Sequence, residues 1–236
     1  MASPQSAEGE QQPIDAAEPL KGIVVCCTSI PPDQRTDIAN KVAELGGTHK
    51  YDLTPDATHL IVGDYDTPKY RHVARERPDV KAMDAAWIEA VSERWKNDEE
   101  MDFAALEKEY QLKPLDVCGG GGEPLPAGNE PAAPRSLLIC LTGFGDLRDE
   151  IAEKITSNGG RYTGDLTRRC SHLIVSKPEG KKFTAAKSWN VHTVTLDWLH
   201  QSIARGMILE EARFDPLLPA EEQGAGAWVK ADPRRP

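Results

Sequence analysis

This 236-residue chain carries an internal repeat, and few folds accommodate one of its kind. Asp52-Leu53-Thr54 and Thr58-His59-Leu60-Ile61-Val62 recur, 113 residues later, as Asp165-Leu166-Thr167 and Ser171-His172-Leu173-Ile174-Val175. Gly46-Gly47 returns at the same offset as Gly159-Gly160. Thr28 closes one apolar run and Thr142 another, while Trp87 has its counterpart in Trp198. Agreement over this length marks a duplicated domain, each copy too small to divide further.

Each copy reads as a compact α/β unit. In the first, Ile23–Cys27 is a continuous apolar run, the pattern of a parallel strand covered on both faces. Asp33 is expected to cap a helix that buries Ile38, Val42 and Leu45 and stops at Gly46-Gly47. Short strands are predicted near Thr48–Tyr51, His59–Val62 and Val80–Met83. A second helix starts at Pro68, and a third carries Trp87, Ile88 and Val91. The second copy repeats the order over Leu137–Leu141, Leu147–Asn158, Arg161–Thr163, His172–Val175, Lys181–Trp189, Val191–Thr195 and Leu196–Ala204. The order β-α-β-β-α-β-α implies, twice, an α/β fold with a four-stranded parallel sheet and helices on both faces.

The remainder divides accordingly: a flank at 1–18, the first repeat at 19–96, a connector at 97–134, the second repeat at 135–216 and a tail at 217–236. The flank and the chain from Pro219 onward read as disordered. Met101–Lys113 reads as a helix, and the Gly119–Gly122 run with its prolines as a flexible linker. That run lacks the Gly-Lys-Ser/Thr of a phosphate loop. The net charge of −10 is uneven: residues 96–134 hold nine acids against three bases, whereas the two repeats are near neutral. Neither repeat shows the basic surface that general duplex DNA binding requires, so direct nucleic-acid binding is disfavoured. No apolar run is long enough to cross a bilayer, and no secretory signal is expected at the N-terminus. The five cysteines are odd in number and mostly sit in apolar runs, which suits reduced thiols inside a cell. Cys26 and Cys27 are adjacent and point to opposite faces of their strand. No cysteine or histidine spacing offers a metal site, and no cofactor motif is present.

In an open parallel sheet, ligands gather beyond the carboxyl ends of the strands. Two groups are aimed there in each copy: Thr28 at the end of the first strand with Lys69 opening the second helix, and Thr142-Gly143 with Lys182. A hydroxyl, a backbone N–H, a helix N-terminus and an ammonium together suit a phosphate. Arg35 and Arg148, early in each leading helix, add a second cation. A strand-closing threonine and a solvated lysine are commonplace singly; their recurrence in both copies makes the case.

With these residues in view, both copies resemble BRCT domains. The shared marks are a strand ending in Thr-Ser or Thr-Gly-Phe, Gly-Gly after the first helix, a Thr/Ser-His-Leu-Ile-Val strand and a tryptophan in the last helix. The Lys21–Ile30 and Asp66–Tyr70 segments of the first copy resemble the N-terminal BRCT pair of the fungal replication-initiation and checkpoint scaffold family related to animal DNA topoisomerase II-binding protein. The resemblance implies two BRCT repeats, each a four-stranded parallel sheet flanked by helices, in a nuclear scaffold module without enzymatic activity. It implies a phosphothreonine or phosphoserine pocket in each, made by Thr28, Ser29, Arg35 and Lys69 and by Thr142, Gly143, Arg148 and Lys182. Ser29 departs from the family's glycine but keeps its N–H, and Arg148 aligns only across a one-residue gap. The implied partners are phosphorylated replication-initiation factors, a checkpoint adaptor and the tail of the checkpoint clamp.

Trp189, seven residues after Lys182, either lines the trough beside the second pocket or packs in the core; Glu76 holds that spacing in the first copy. Trp87 and Trp198 read as core residues, and His59 and His172 as structural histidines. No nucleophile elbow, zinc-protease motif or Walker sequence points to catalysis. The alternative function is a BRCT pair that binds DNA ends or poly(ADP-ribose); an accessory fragment of a longer enzyme is a third class.

Overall fold

The computed structural model describes residues 17–116 and 136–230. The Gly/Pro linker and most of the N-terminal flank lie outside the described residues.

The first repeat contains β1 (Val24–Thr28), α1 (Pro32–Glu44), β2 (Thr48–Lys50), β3 (His59–Val62), α2 (Pro68–Glu76), β4 (Lys81–Met83) and α3 (Ala86–Lys96). α4 (Phe103–Tyr110) follows in the connector. The second contains β5 (Leu138–Thr142), α5 (Arg148–Ser157), β6 (Arg161–Thr163), β7 (His172–Val175), α6 (Lys181–Ser188), β8 (His192–Thr195) and α7 (Leu196–Arg205). Both sheets are parallel, in the order β2-β1-β3-β4 and β6-β5-β7-β8. The first and third strands are therefore neighbours, and their registers match: Thr28 pairs with Val62 and Thr142 with Val175.

Local sequence explains most boundaries. α1 starts on Pro32, whose fixed φ suits a first helical position, and Asp33 lies inside the first turn instead of capping it. Gly46 ends this helix at φ +83°, and a Cβ there would meet the Glu18 side chain at 2.6 Å, so only glycine fits. Trp189 is the C-cap of α6, not a residue on its face.

Each sheet is covered on both sides. Cys27 packs with Ile38, Val42, Trp87 and Val91 under α1 and α3, while Cys26 faces the opposite core with Tyr70 and Val73 of α2. In the second repeat, Cys140, Leu173 and Ala186 form a small core under α6. The α5/α7 side of that sheet merges with the α2 side of the first repeat into one cluster. That cluster contains Tyr70, Val73, Ile151, Ile155, Trp198 and Ile208. The two repeats thus pack head to tail, α2 against the α5/α7 side.

Polar bonds fix this joint. Arg205 donates to the Ala74, Val73 and Arg77 carbonyls at 2.8, 2.7 and 3.1 Å, serving the open C-terminal end of α2. The Ile208 N–H donates to the Tyr70 hydroxyl at 2.8 Å. The connector also belongs to the fold, since Leu106 of α4 is buried under α3 and Leu115 N–H donates to Asn158 O. The chain beyond Pro219 departs from the expected disorder. As far as Lys230 it runs in turns, with Ala227 buried, Trp228 packed on the shared core and Val229 N–H bonded to Arg75 O. Its composition is polar and Gly-rich, but bonds to Arg75 and Arg213 and packing on the shared core order it.

Candidate functional site

At the carboxyl edge of each sheet the same construction appears twice. The Lys69 ammonium donates to the Cys27 carbonyl at 3.2 Å, to Tyr51 O and to Cys26 Sγ at 3.5 Å. Lys182 donates to Leu141 O at 3.2 Å, to Gly164 O at 2.7 Å and to Cys140 Sγ at 3.5 Å. Cys27 O and Leu141 O belong to the peptides that lead into Thr28 and Thr142. Each lysine is therefore held beside the last peptide of its central strand, although four decades of residues separate it in sequence. Both lysines occupy the second position of their helix, where the first N–H groups have no intrahelical acceptor.

The residue after each threonine turns out of the sheet with a left-handed backbone, Ser29 at φ +53° and Gly143 at φ +86°. Among the described residues, neither N–H has an acceptor. The turn is crowded by the end of the neighbouring strand. A Cβ on Gly63 would lie 1.9 Å from Ser29 O, and one on Gly143 would lie 3.0 Å from the Ser176 Cβ. Gly63 and Ser176 are equivalent positions, so the pairs are Ser29 with Gly63 and Gly143 with Ser176. Each repeat keeps one side chain and one glycine, in opposite places.

The hydroxyls differ. Thr28 Oγ1 lies 2.7 Å from Thr67 Oγ1, and Thr67 caps α2 by accepting from Tyr70 N–H. Thr67 corresponds to Gly180, which has no side chain to offer, and Thr142 Oγ1 has no hydrogen-bond partner among the described residues. Arg35 joins the first site: its guanidinium lies 5.7 Å from the Tyr51 ring centroid, and its charge together with that of Lys69 lowers the His49 pKa, after burial, the largest cause. Arg148 opens α5, half-buried, with no ion pair among the described residues. Trp189 is half-buried against the Cys140 core, its ring 5.1 Å from the Arg168 guanidinium, so it packs on that core in part.

Cations, free N–H groups and a hydroxyl at a strand end leave little chemistry other than holding an anion. Burial pushes the Cys27 thiol up to about 12 and raises Cys140, so neither offers a thiolate nucleophile. The histidines are structural, as their sequence setting implied. His59 stacks on Trp87 at 4.7 Å, and its ring nitrogens meet Thr58 Oγ1 at 2.8 Å and Glu107 Oε1 at 2.7 Å. His172 stacks on Trp198 at 4.5 Å and meets Ser171 Oγ at 2.9 Å and Glu211 Oε1 at 2.8 Å. Glu211 also pairs with Arg71 of α2 at 2.9 Å, tying the second core to the first repeat. These two glutamates carry no local motif; only their shared position after the last helix of each repeat could have signalled them.

A cleft of about 780 Å³ lies elsewhere, between α2 and β8, lined by Arg71, Arg75, Lys187, His192, Glu211 and Asp215. Arg71–Glu211 is paired across the joint between repeats and Lys187–Asp215 within the second repeat, so these charges are already engaged. The strand-end sites, by contrast, keep the Ser29 and Gly143 N–H groups without acceptors among the described residues.

Comparison with known proteins agrees with this fold. A family model described as a twin BRCT domain matches residues 23–87 and 137–198. The S-M checkpoint control protein rad4 of Schizosaccharomyces pombe is 39% identical over 219 residues, 92% of this chain. The chain spans 31% of that relative's length. Mouse PAX-interacting protein 1 is 28% identical over 155 residues, 65% of this chain and 13% of the relative. Crystal structures of Rad4 BRCT1,2 in complex with a Crb2 phosphopeptide and with a Mdb1 phosphopeptide superpose with a TM-score of 0.73 at 37% identity. They cover 84% of this chain and 99% and 98% of theirs.

Proposed function

The chain belongs to the twin BRCT family, and from that premise we propose that it is a nuclear, non-enzymatic scaffold module that reads phosphothreonine and phosphoserine motifs, one pocket per repeat. The observation that carries the reading is the repeated lysine, fixed by main-chain carbonyls beside a strand-end threonine and a free, left-handed N–H. Thr28, Ser29, Arg35 and Lys69 form the first pocket; Thr142, Gly143, Arg148 and Lys182 form the second, with Trp189 at its lower border. The phosphopeptide complexes of the Rad4 pair support the assignment. A kinase-added phosphate brings a charge of about −2 and three acceptor oxygens, which turn a weak contact into charge-assisted hydrogen bonds. An unphosphorylated threonine supplies neither. The partners in this reading are phosphorylated replication-initiation factors, a checkpoint adaptor and the checkpoint clamp tail. Two pockets on one joined body add avidity toward a doubly phosphorylated partner.

Calorimetric titration with matched phosphorylated and unphosphorylated Thr-Pro peptides tests this. Phosphate-dependent binding is expected, with each of Lys69→Glu and Lys182→Glu weakening its own site by about 100-fold or more. If both folded variants bind every phosphopeptide normally, the two-pocket reading is wrong, and DNA ends or poly(ADP-ribose) take its place.

A further inference from the structure

The two repeats differ most in charge around the lysine helix. At the 113-residue offset, Arg168, Arg169, Lys177 and Lys181 stand where the first repeat has Pro55, Asp56, Asp64 and Pro68. All four cations are exposed, and none has an ion pair among the described residues. The first repeat's Asp56 is neutralised by Lys50 at 2.7 Å, and its Asp66 by Arg71 at 3.2 Å. Nearby acids in the second repeat, Asp165 and Glu179, are too few to offset the excess.

The fold gives these cations a free face to act from. α2 buries Tyr70, Val73 and Ala74 against the second repeat, and its open end is closed by Arg205. The corresponding residues of α6 are half-buried Phe183, buried Ala186 and exposed Lys187, and among the described residues α6 has no counterpart of the repeat that covers α2. Arg168 stacks over Trp189, so an aromatic ring holds one of the four cations in place. Lys182 opens this same helix, and Lys177 and Lys181 border it in sequence.

We infer that the second repeat reads an anionic stretch of peptide in addition to the phosphate: acidic or further phosphorylated residues flanking the phosphosite, laid along α6. The first repeat, acidic at the matching positions and with its helix packed away, has no such preference. This rests on the phosphate reading of Lys182. An exposed cation contributes little singly, but four unpaired ones acting on one flexible anion add up.

The test uses the full chain carrying Lys69→Glu, which leaves the second pocket alone to be read. Two phosphothreonine peptides, identical except for glutamate or serine flanks, are titrated calorimetrically. The glutamate-flanked peptide is expected to bind about tenfold tighter, with the advantage collapsing in about 0.5 M salt. Adding Arg168→Ser, Arg169→Asp, Lys177→Asp and Lys181→Ser should make the two affinities equal, whereas Arg168→Lys with Arg169→Lys should preserve the difference. Equal affinities before those changes, or a preference that survives them, overturns the inference. So does a single-stranded oligonucleotide of matched charge that competes as strongly as the acidic phosphopeptide. If neither phosphopeptide binds, the phosphate assignment of Lys182 fails first and this inference falls with it.

Discussion

The two repeats share strand order, register and the lysine at the strand end, yet they occupy different positions in the joined molecule. The first gives up the outer face of α2 to the second, and its threonine hydroxyl is engaged by the helix cap. The second keeps α6 exposed, and its threonine hydroxyl is without a partner among the described residues. Duplication preserved what the sheet edge needs, while the surface around it diverged according to what each copy must pack against. The glutamates show the same split. Glu107 comes from the connector helix and is shared between His59 and Lys81. Glu211 is nearly buried and bridges His172 to Arg71 of the other repeat.

The sharpest way to break this comparison is at the crossed Ser/Gly pairs. Gly63→Ser is expected to cost about 3 kcal/mol, because its Cβ would collide with the Ser29 carbonyl. Adding Ser29→Gly, which recreates the second repeat's arrangement, should restore about 1 kcal/mol by letting φ open. Chemical denaturation of the single and double variants reads both values, and an absence of rescue would mean that the two turns are not interchangeable.

Arg205→Ala should cost about 2 kcal/mol, since the Ala74 carbonyl loses its donor and the Val73 and Arg77 carbonyls lose a charged second one at the joint. Hydrogen exchange should show the loss at α2 as well as at α7. Protection lost at α7 alone would make the joint a weaker coupling than its bonds suggest.

Smaller still is the difference between Glu211→Gln, at about 1.5 kcal/mol, and Glu107→Gln, at about 0.5 kcal/mol, because Glu107 is the more exposed. Both glutamates also shape the acid limb. Hydrogen bonding from His59 and Lys81 holds Glu107 at about 2 against an ordinary 4.5, so its contribution is complete above pH 4.5 and lost as pH falls toward 2. Glu211 is likewise held low, by His172 and Arg71 acting against burial. Burial keeps His172 neutral, so below its ordinary 6.5 the unfolded chain binds a proton that the folded chain refuses, and stability starts to fall there. Thermal unfolding across pH 7 to 3 should show this earlier slope, and His172→Asn should remove it; an unchanged slope would place its origin elsewhere.

How much of this was legible depends on the range of the interactions. Strands and helices follow from local apolar runs and helix stops, and Lys69 and Lys182 could be placed because a parallel sheet brings strand ends and helix starts together. Glu107 and Glu211 lie 48 and 39 residues from their histidines, and nothing in their own neighbourhoods distinguishes them from solvated acids. Residues 219–230 resemble a loose tail by composition, and Arg75, Arg213 and the shared core order them. The Pro32 start of α1 was open to reading, but Asp33 is an equally ordinary cap in sequence.

The bonds from Arg205 and Val229 to the end of α2 have a consequence for biosynthesis. The first repeat leaves the ribosome with the Ala74 and Arg75 carbonyls of that helix facing water, and their donors are translated more than a hundred residues later. Its lysine pocket therefore sits on a helix that reaches full rigidity only when the second repeat has been made. A prematurely terminated chain carries the residues of the first reader without the brace that steadies them.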